Sequence, residues 1–232
     1  MKLNCAVYKG EGKPLIKHKE KTKKMFSGLS SFVRVSTCQR IEIYSEKDLS
    51  APEGMKRLAY PDSMQHLAEV LSGTDSGLFG EIEIYLQIKE AVKKAKEEKH
   101  LSPELESCFM KAFEISEKIR EKHKLNNSWI NSIKSEIGGR KEVFVYGDGS
   151  LAKSLKDSLE KSEISGGIGN ADAVIVLKKG LRIPEGSNAK VINLTGEQSK
   201  EEEMKMQEFF SRPEKSEIEK IKEDIRKELN EY

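Results

Sequence analysis

Cys38 stands in Ser36-Thr37-Cys38-Gln39-Arg40, where a thiol is preceded by two hydroxyls and followed by a cation. A nearby guanidinium favours the thiolate, the nucleophilic form of cysteine, and it also suits a substrate carboxylate as a two-pronged donor. On these five residues alone, a small core cysteine beside a surface arginine reads as well as a nucleophile. His66, in Met64-Gln65-His66-Leu67, offers a proton donor or acceptor near neutral pH, or else a structural histidine at the edge of an apolar face. The next stretch, Ser72-Gly73-Thr74-Asp75-Ser76-Gly77-Leu78-Phe79-Gly80-Glu81, mixes glycines, hydroxyls and carboxylates and leads into a helix with Glu83 and Gln87. Glu81 falls in that helix's first turn, where a carboxylate is favoured. The stretch serves either as a capping loop or as a polar cradle for the amino and carboxyl groups of a small amino acid.

A different chemistry is written further on. Gly147-Asp148-Gly149-Ser150-Leu151-Ala152 fits the pattern G-x-G-x-x-G/A between an apolar strand, Val143-Phe144-Val145-Tyr146, and a helix. In that setting the glycines let backbone amides approach a pyrophosphate at the helix N-terminus. A dinucleotide-binding unit needs a second strand about 20 residues later, ending in a residue that reads the ribose. Here Glu163-Ile164-Ser165-Gly166-Gly167-Ile168-Gly169 is too short and too glycine-rich for one. The pattern predicts a nucleotide unit without its adenosine half.

These residues need elements to hold them. Leu3, Cys5 and Val7 alternate as in a strand, and Phe32–Val35 and Ile41–Tyr44 read as two strands flanking the Cys38 turn. Residues 62–72 read as a helix with Met64, Leu67, Ala68 and Leu71 inward. Residues 81–98 read as another, with Tyr85, Ile88, Val92 and Ala95 inward. Ser102-Pro103 marks the start of a third helix, carrying Leu105, Cys108, Phe109, Ala112, Ile115 and Ile119, which makes Cys108 a core residue. Gly138-Gly139-Arg140 marks a boundary. Ala173–Leu177 and Val191–Leu194 read as buried parallel strands. The C-terminus is a charged helix with Ile218, Ile221, Ile225 and Leu229 on one stripe, which packs either on its own domain or on a partner helix, the latter giving a homodimer.

Composition sets limits. The 232 residues suffice for two domains, and 41 basic against 39 acidic side chains give a net charge of +2, with no global pull on nucleic acid. Five lysines between Lys17 and Lys24 read as a solvated loop or helix face, with an RNA-contacting patch as the other reading. No apolar run approaches the roughly 18–20 residues of a membrane span, and the N-terminus lacks a leader pattern, so a cytoplasmic location is expected. Three widely spaced cysteines predict neither a disulfide framework nor a metal cluster.

Taken together the motifs resemble one family. Ser36-Thr37-Cys38-Gln39-Arg40-Ile41-Glu42-Ile43-Tyr44 is similar to the S-T-C-N-R-x-E-x-Y signature of glutamyl-tRNA reductase. His66-Leu67 with Ser72–Ser76 resembles its H-L…S-G-L-D-S block, and Gly80–Lys89 resembles G-E-x-Q-I-L-G-Q-V-K. The resemblance implies an α/β protein: an N-terminal α+β catalytic domain (1–138), a reduced Rossmann-like NADP-binding domain (139–197) and a C-terminal helical segment (198–232). It implies glutamyl-tRNA as substrate, NADPH as reductant, and glutamate-1-semialdehyde as product, the entry to tetrapyrrole synthesis, with the semialdehyde aminomutase as a partner. By position, Cys38 would be the nucleophile with His66 assisting. Thr37, Gln39, Arg40, Ser76, Glu81, Ile82, Glu83 and Gln87 would line the glutamate pocket, and Gly147, Asp148, Gly149, Ser150, Leu151 and Ala152 would hold the cofactor. Departures are visible. Gln39 replaces Asn, Glu83 replaces Gln, Thr74 replaces Leu, Leu86 replaces Gly, and most of the family's C-terminal region has no counterpart. The alternative reading is a non-reducing relative that binds, regulates or hydrolyses.

Overall fold

The computed structural model describes residues 2–10, 18, 20, 22, 28–37, 40–49, 53–76, 79–125, 129–148, 150–159, 164–178, 180–184, 186–193 and 214–231. Cys38, Gln39, Gly149 and most of the lysine run lie outside them. The chain divides into two compact units, Met1–Asn126 with Pro213–Tyr232, and Asn127–Arg212.

The first unit is built on an antiparallel sheet of β1 (Asn4–Lys9), β2 (Val33–Ser36), β3 (Arg40–Ser45) and β4 (Lys56–Ala59), in the order β2-β3-β1-β4. β4 is a polar edge strand with no clear alternation, and nothing in its sequence marks it. Over one face pack α1 (Asp62–Ser72), α2 (Glu83–Glu97) and α3 (Pro103–His123). Most of their predicted inward residues meet Leu3, Cys5, Val7, Val33, Val35 and Tyr44 in one core, while Ala68, Ile115 and Ile119 belong to a second cluster. Ala6 and Ile43 face the other way, into a smaller cluster with Leu49 and Met55. Both faces of β3 are therefore covered, and all six of its residues are buried.

Local chemistry fixes the ends of these helices. Ser102 Oγ accepts from Leu105 N–H at 3.2 Å, with Pro103 at the first helical position, as the sequence predicts. α1 ends at Gly73 with φ +76°, and a Cβ there would stand 2.9 Å from Glu81 N. Only glycine meets both demands.

The C-terminal helix α6 (Lys215–Asn230), set apart in the sequence reading, lies in the first unit against α1 and α3. Its apolar stripe is covered there: Ile221 and Ile225 are fully buried among Ala68, Phe79, Ile115, Ile119 and Leu125. Of the two expectations for this stripe, packing on its own unit is the one observed. The stripe is thus not open to a partner helix, which removes the ground for a homodimer through it.

In the second unit, α4 (Trp129–Ile137) precedes a parallel sheet of β5 (Val143–Tyr146), β6 (Ala173–Val176) and β7 (Lys190–Asn193), with α5 (Ser150–Ser158) after β5. α4 lies before the Gly138 boundary but belongs to this unit. On the far side of β5, the stretch around Ile164 makes one isolated parallel bridge to Val143. Among the described residues, that single pairing is what stands where a second strand would be.

Ile225→Ala should lower stability by about 2–4 kcal/mol, because it opens a cavity in a filled core. The urea midpoint at two protein concentrations checks this. A loss below 1 kcal/mol, or a midpoint that moves with concentration, would show that the stripe is covered from outside the chain.

Candidate active site

Strand β3 sets the geometry. Alternation places Arg40, Glu42 and Tyr44 on the helix-covered face, opposite Lys9, Val7 and Cys5 of β1. Where β2 turns into β3, Thr37 N–H donates to Arg40 O at 2.9 Å and Arg40 N–H donates to Thr37 Oγ1 at 3.1 Å. Cys38 and Gln39 are the two residues between these anchors. Arg40 itself leads into a charge cluster.

Glu42 is its centre and is fully buried. Arg40 Nη1 donates to Glu42 Oε1 at 3.1 Å, Tyr44 Oη donates to Oε2 at 2.6 Å, and His66 Nε2 lies 3.1 Å from Oε1. Burial by itself raises a carboxyl, but the hydrogen bond and charge of His66, followed by Arg40 and Tyr44, reverse this and hold Glu42 at about 2. An ionised carboxylate only accepts, so His66 Nε2 carries a hydrogen. The other ring nitrogen, Nδ1, faces Asp75 Oδ2 at 3.6 Å, beyond a hydrogen bond. Asp75 is also approached by Arg40 Nη1 at 3.5 Å and by Lys9 Nζ at 2.5 Å. Burial opposes the Arg40 charge, but Glu42 and Asp75 outweigh it and raise the guanidinium pKa. Glu42, His66 and Asp75 each bring one metal-ligating atom within 4.8 Å of the others. Arg40 and Lys9 already supply the positive charge that a metal ion would bring.

The loop from Gly73 to Glu81 closes one side. Ser76 donates to the Glu81 carboxylate, whose pKa is raised by burial against that bond. Arg120 of α3 fixes the loop's backbone. Its Nε donates to Leu71 O at 2.8 Å, Nη1 to Leu125 O at 2.6 Å and Gly80 O at 3.3 Å, and Nη2 to Glu81 O. Burial pulls this guanidinium down to about 10. Ile82 is the residue before α2 and packs on the core, and Glu83 lies in the first turn of α2. Gln87, one helical turn on, lines a cavity of about 470 Å³ along the free edge of β2.

The glycine loop has its own geometry. A Cβ on Gly147 would stand 3.0 Å from Leu177 Cβ and 3.2 Å from Ala152 Cβ, so glycine at 147 and a small residue at 152 are both required where β5 meets α5. Asp148 is exposed and pairs with Lys178 at 2.7 Å. Ser150 and Leu151 open α5. The pyrophosphate half of a dinucleotide fits this strand, turn and helix. The adenosine half does not fit, because the segment after Ile164 runs into Ser165-Gly166-Gly167 with Ser165 Oγ bonded to Gly167 O.

The structure brings Thr37, Arg40, His66, Ser76 and Glu81 into one neighbourhood. It gives Ile82 a packing role and leaves Gln87 at the cavity. Five members escaped functional reading in the sequence: Lys9, Glu42, Tyr44, Asp75 and Arg120. Of these, Glu42 and Tyr44 lie inside the signature around Cys38 and Asp75 lies inside the glycine loop, so motif spacing held their signal. Lys9 and Arg120 carried none. The two described cysteines, Cys5 and Cys108, are buried in the core, and burial pushes both thiols up, away from the reactive form.

Glu42 has a folded-state pKa below the ordinary 4.5. Its ionised form therefore contributes in full above that pH and is lost as pH falls toward 2. Glu42→Gln should cost on the order of 2–4 kcal/mol at pH 7 and flatten the fall in stability between pH 5 and 2. Urea denaturation across that range checks both. Arg120→Lys should cost about 2–3 kcal/mol by the same measurement, because one ammonium cannot span four carbonyls.

Against known proteins, the family Glutamyl-tRNAGlu reductase, N-terminal domain, matches residues 13–123. The glutamyl-tRNA reductase of Methanococcus aeolicus is 30% identical over 145 residues, 57% of this chain and 38% of its own length. That of Pseudoalteromonas atlantica is 27% identical over 157 residues, 60% of this chain and 34% of its own. The chain thus spans little more than a third of these relatives. Among solved structures, glutamyl-tRNA reductase from Methanopyrus kandleri superposes with a TM-score of 0.56 at 17% identity, covering 98% of this chain and 78% of that one, which establishes a shared fold. Residues 13–123, which include the Cys38 signature and most of the charge cluster around Glu42, are thus similar to the N-terminal domain of the glutamyl-tRNA reductase family.

Proposed function

We propose that the chain takes glutamyl-tRNA as substrate and forms a glutamyl thioester on Cys38, which NADPH then reduces to glutamate-1-semialdehyde for tetrapyrrole synthesis. The observation that carries this reading is the Arg40–Glu42–His66–Asp75 cluster, whose Arg40 follows Cys38 by two residues in the sequence. A cation close to a cysteine favours the thiolate. The thiolate attacks the ester carbonyl, a C–S bond forms, and the bond to the ribose oxygen breaks. The ribose leaves as a hydroxyl and needs one proton. His66 is suited to give it: Nε2–H is held on Glu42, and Nδ1 takes up the proton that the Cys38 thiol loses on becoming a thiolate and passes it to the leaving ribose oxygen. Glu81, its carboxyl raised by burial and bonded to Ser76, and Arg40 are the groups proposed to receive the polar ends of the glutamyl group.

NADPH, when bound, supplies a hydride. Gly147 to Ala152 would hold its pyrophosphate, with Lys178, paired with Asp148, as a cation beside that loop. The single bridge at Ile164 supports a second reading, in which the same thioester is hydrolysed or held instead of reduced. On the reductive reading the released semialdehyde passes to an aminomutase, the proposed partner.

Purified protein with glutamyl-tRNA should release free tRNA, and with NADPH added it should form the semialdehyde. Cys38→Ser should reduce both by at least about a thousandfold, as expected on removing a nucleophile. Deacylation with no NADPH consumed would select the hydrolytic reading, and undiminished activity of Cys38→Ser would remove both.

A further inference from the structure

The sheet of the second unit is complete on one side of β5 and open on the other. β6 and β7 follow β5 on the first side, each paired in parallel over four residues. In a dinucleotide-binding fold the strands of the second mononucleotide half stand there, and those that read the adenosine stand opposite. On that opposite side the chain meets β5 at its amino end. Ile164 bridges Val143, and Ser165 N–H donates to Val143 O at 2.9 Å. Ser165 Oγ then donates to Gly167 O at 2.9 Å, and a short 3₁₀ turn follows at Ile168–Asn170. Asp172 N–H donates to Glu142 O at 2.7 Å on the way into β6. Asp172 Oδ2 accepts from the backbone N–H groups of Lys141 and Glu142, each at 3.2 Å, which fixes the return at the same end. The segment thus enters and leaves beside Glu142 and Val143. Among the described residues, Phe144, Val145 and Tyr146 pair with β6 alone.

This path bears on cofactor choice. An acid at the end of the second strand reads a ribose 2′-hydroxyl, and an arginine nearby accommodates a 2′-phosphate. From Ile164 to Ala171 the chain has neither. The carboxylate of Asp172 is committed to backbone at the amino end. A Cβ on Gly166 or Gly167 would meet nothing within 4 Å, so the space there is open. We propose that the second unit recognises its cofactor by the nicotinamide mononucleotide half: it does not distinguish NADH from NADPH, and reduced nicotinamide mononucleotide is itself a ligand. The inference rests on the reading that Gly147 to Ala152 hold a cofactor phosphate. Gly147 keeps that turn close to Leu177 and Ala152, and Lys178, just past the carboxyl end of β6, pairs with Asp148 beside it. The phosphate next to the nicotinamide ribose is common to all three ligands. The adenosine and its 2′-phosphate are not.

Isothermal titration calorimetry of the full chain with NADPH, NADH and reduced nicotinamide mononucleotide tests this. The two dinucleotides should bind within about fivefold of each other, where a bound 2′-phosphate would separate them by about a hundredfold. The mononucleotide should bind about tenfold more weakly, the scale of one lost charged hydrogen bond. Lys178→Glu, on an exposed side chain, should weaken all three by the same severalfold factor, because it acts on the phosphate they share. A larger preference for either dinucleotide overturns the inference and leaves the reductive reading intact. So does a mononucleotide that does not bind at millimolar concentration while NADPH does, or a Lys178→Glu chain that spares all three ligands or weakens NADPH alone. No binding of any of the three overturns the inference and the reductive reading together. If NADH and NADPH bind equally but neither yields the semialdehyde from the Cys38 thioester, the inference stands and the reductive reading fails.

Discussion

An ionised carboxylate at the centre of a sheet is the constraint on which the first unit depends. Glu42 has no exposed surface, and a charge so placed is tolerated only with donors around it. Two donors, Arg40 and Tyr44, come from its own strand by period-two alternation, and the third, His66, comes from α1. The network therefore does more than neutralise a charge. It ties α1 to the sheet at a defined point, orients the imidazole, and keeps the Arg40 guanidinium under the turn that follows Thr37. Loss of any one donor leaves a buried anion short of a partner, so the cluster acts as a unit.

Arg120 solves the complementary problem. Where Glu42 organises side chains, Arg120 organises backbone: the end of α1, the residues at Gly80–Glu81 and the carbonyl of Leu125 converge on one guanidinium. Gly73 is the condition for that convergence, because only at positive φ and without a Cβ can the chain turn back onto Glu81. The loop that presents Asp75, Ser76 and Glu81 is thus fixed from behind by a helix that contributes no side chain to the glutamate pocket proposed above.

The sequence disclosed the helices and most strands because their apolar residues recur at 3.6 or at 2. It did not disclose β4, whose Lys56-Arg57-Leu58-Ala59 is a half-exposed edge, or α4, whose nine residues are too few for a clear period. Within the site, the motif around Cys38 was legible and the work of its members was not. Ile41-Glu42-Ile43-Tyr44 reads as a strand with a polar face, yet both faces are covered. Alternation distinguishes two faces of a strand but does not say which meets water. Arg120 is one charge among several in Lys118-Ile119-Arg120-Glu121-Lys122, and its burial follows from the loop that α1 and α2 bring to it, a long-range contact with no local pattern.

On the proposed reading, the second unit is a dinucleotide-binding fold reduced to its first strand, turn and helix. Gly147 and Ala152 keep the close contact that brings α5 against β5, which is the part of a dinucleotide site that serves pyrophosphate. The part that serves adenosine is built between the ends of the first two strands, and here the second of those is one bridge. On the proposed reading, cofactor affinity would then rest on phosphate contacts, with little contribution from the adenine. Reduction and hydrolysis of the same thioester would compete according to cofactor occupancy. On the proposed reading, acylation draws on the charge cluster around Glu42 in either case, so thioester formation depends on groups of the first unit alone.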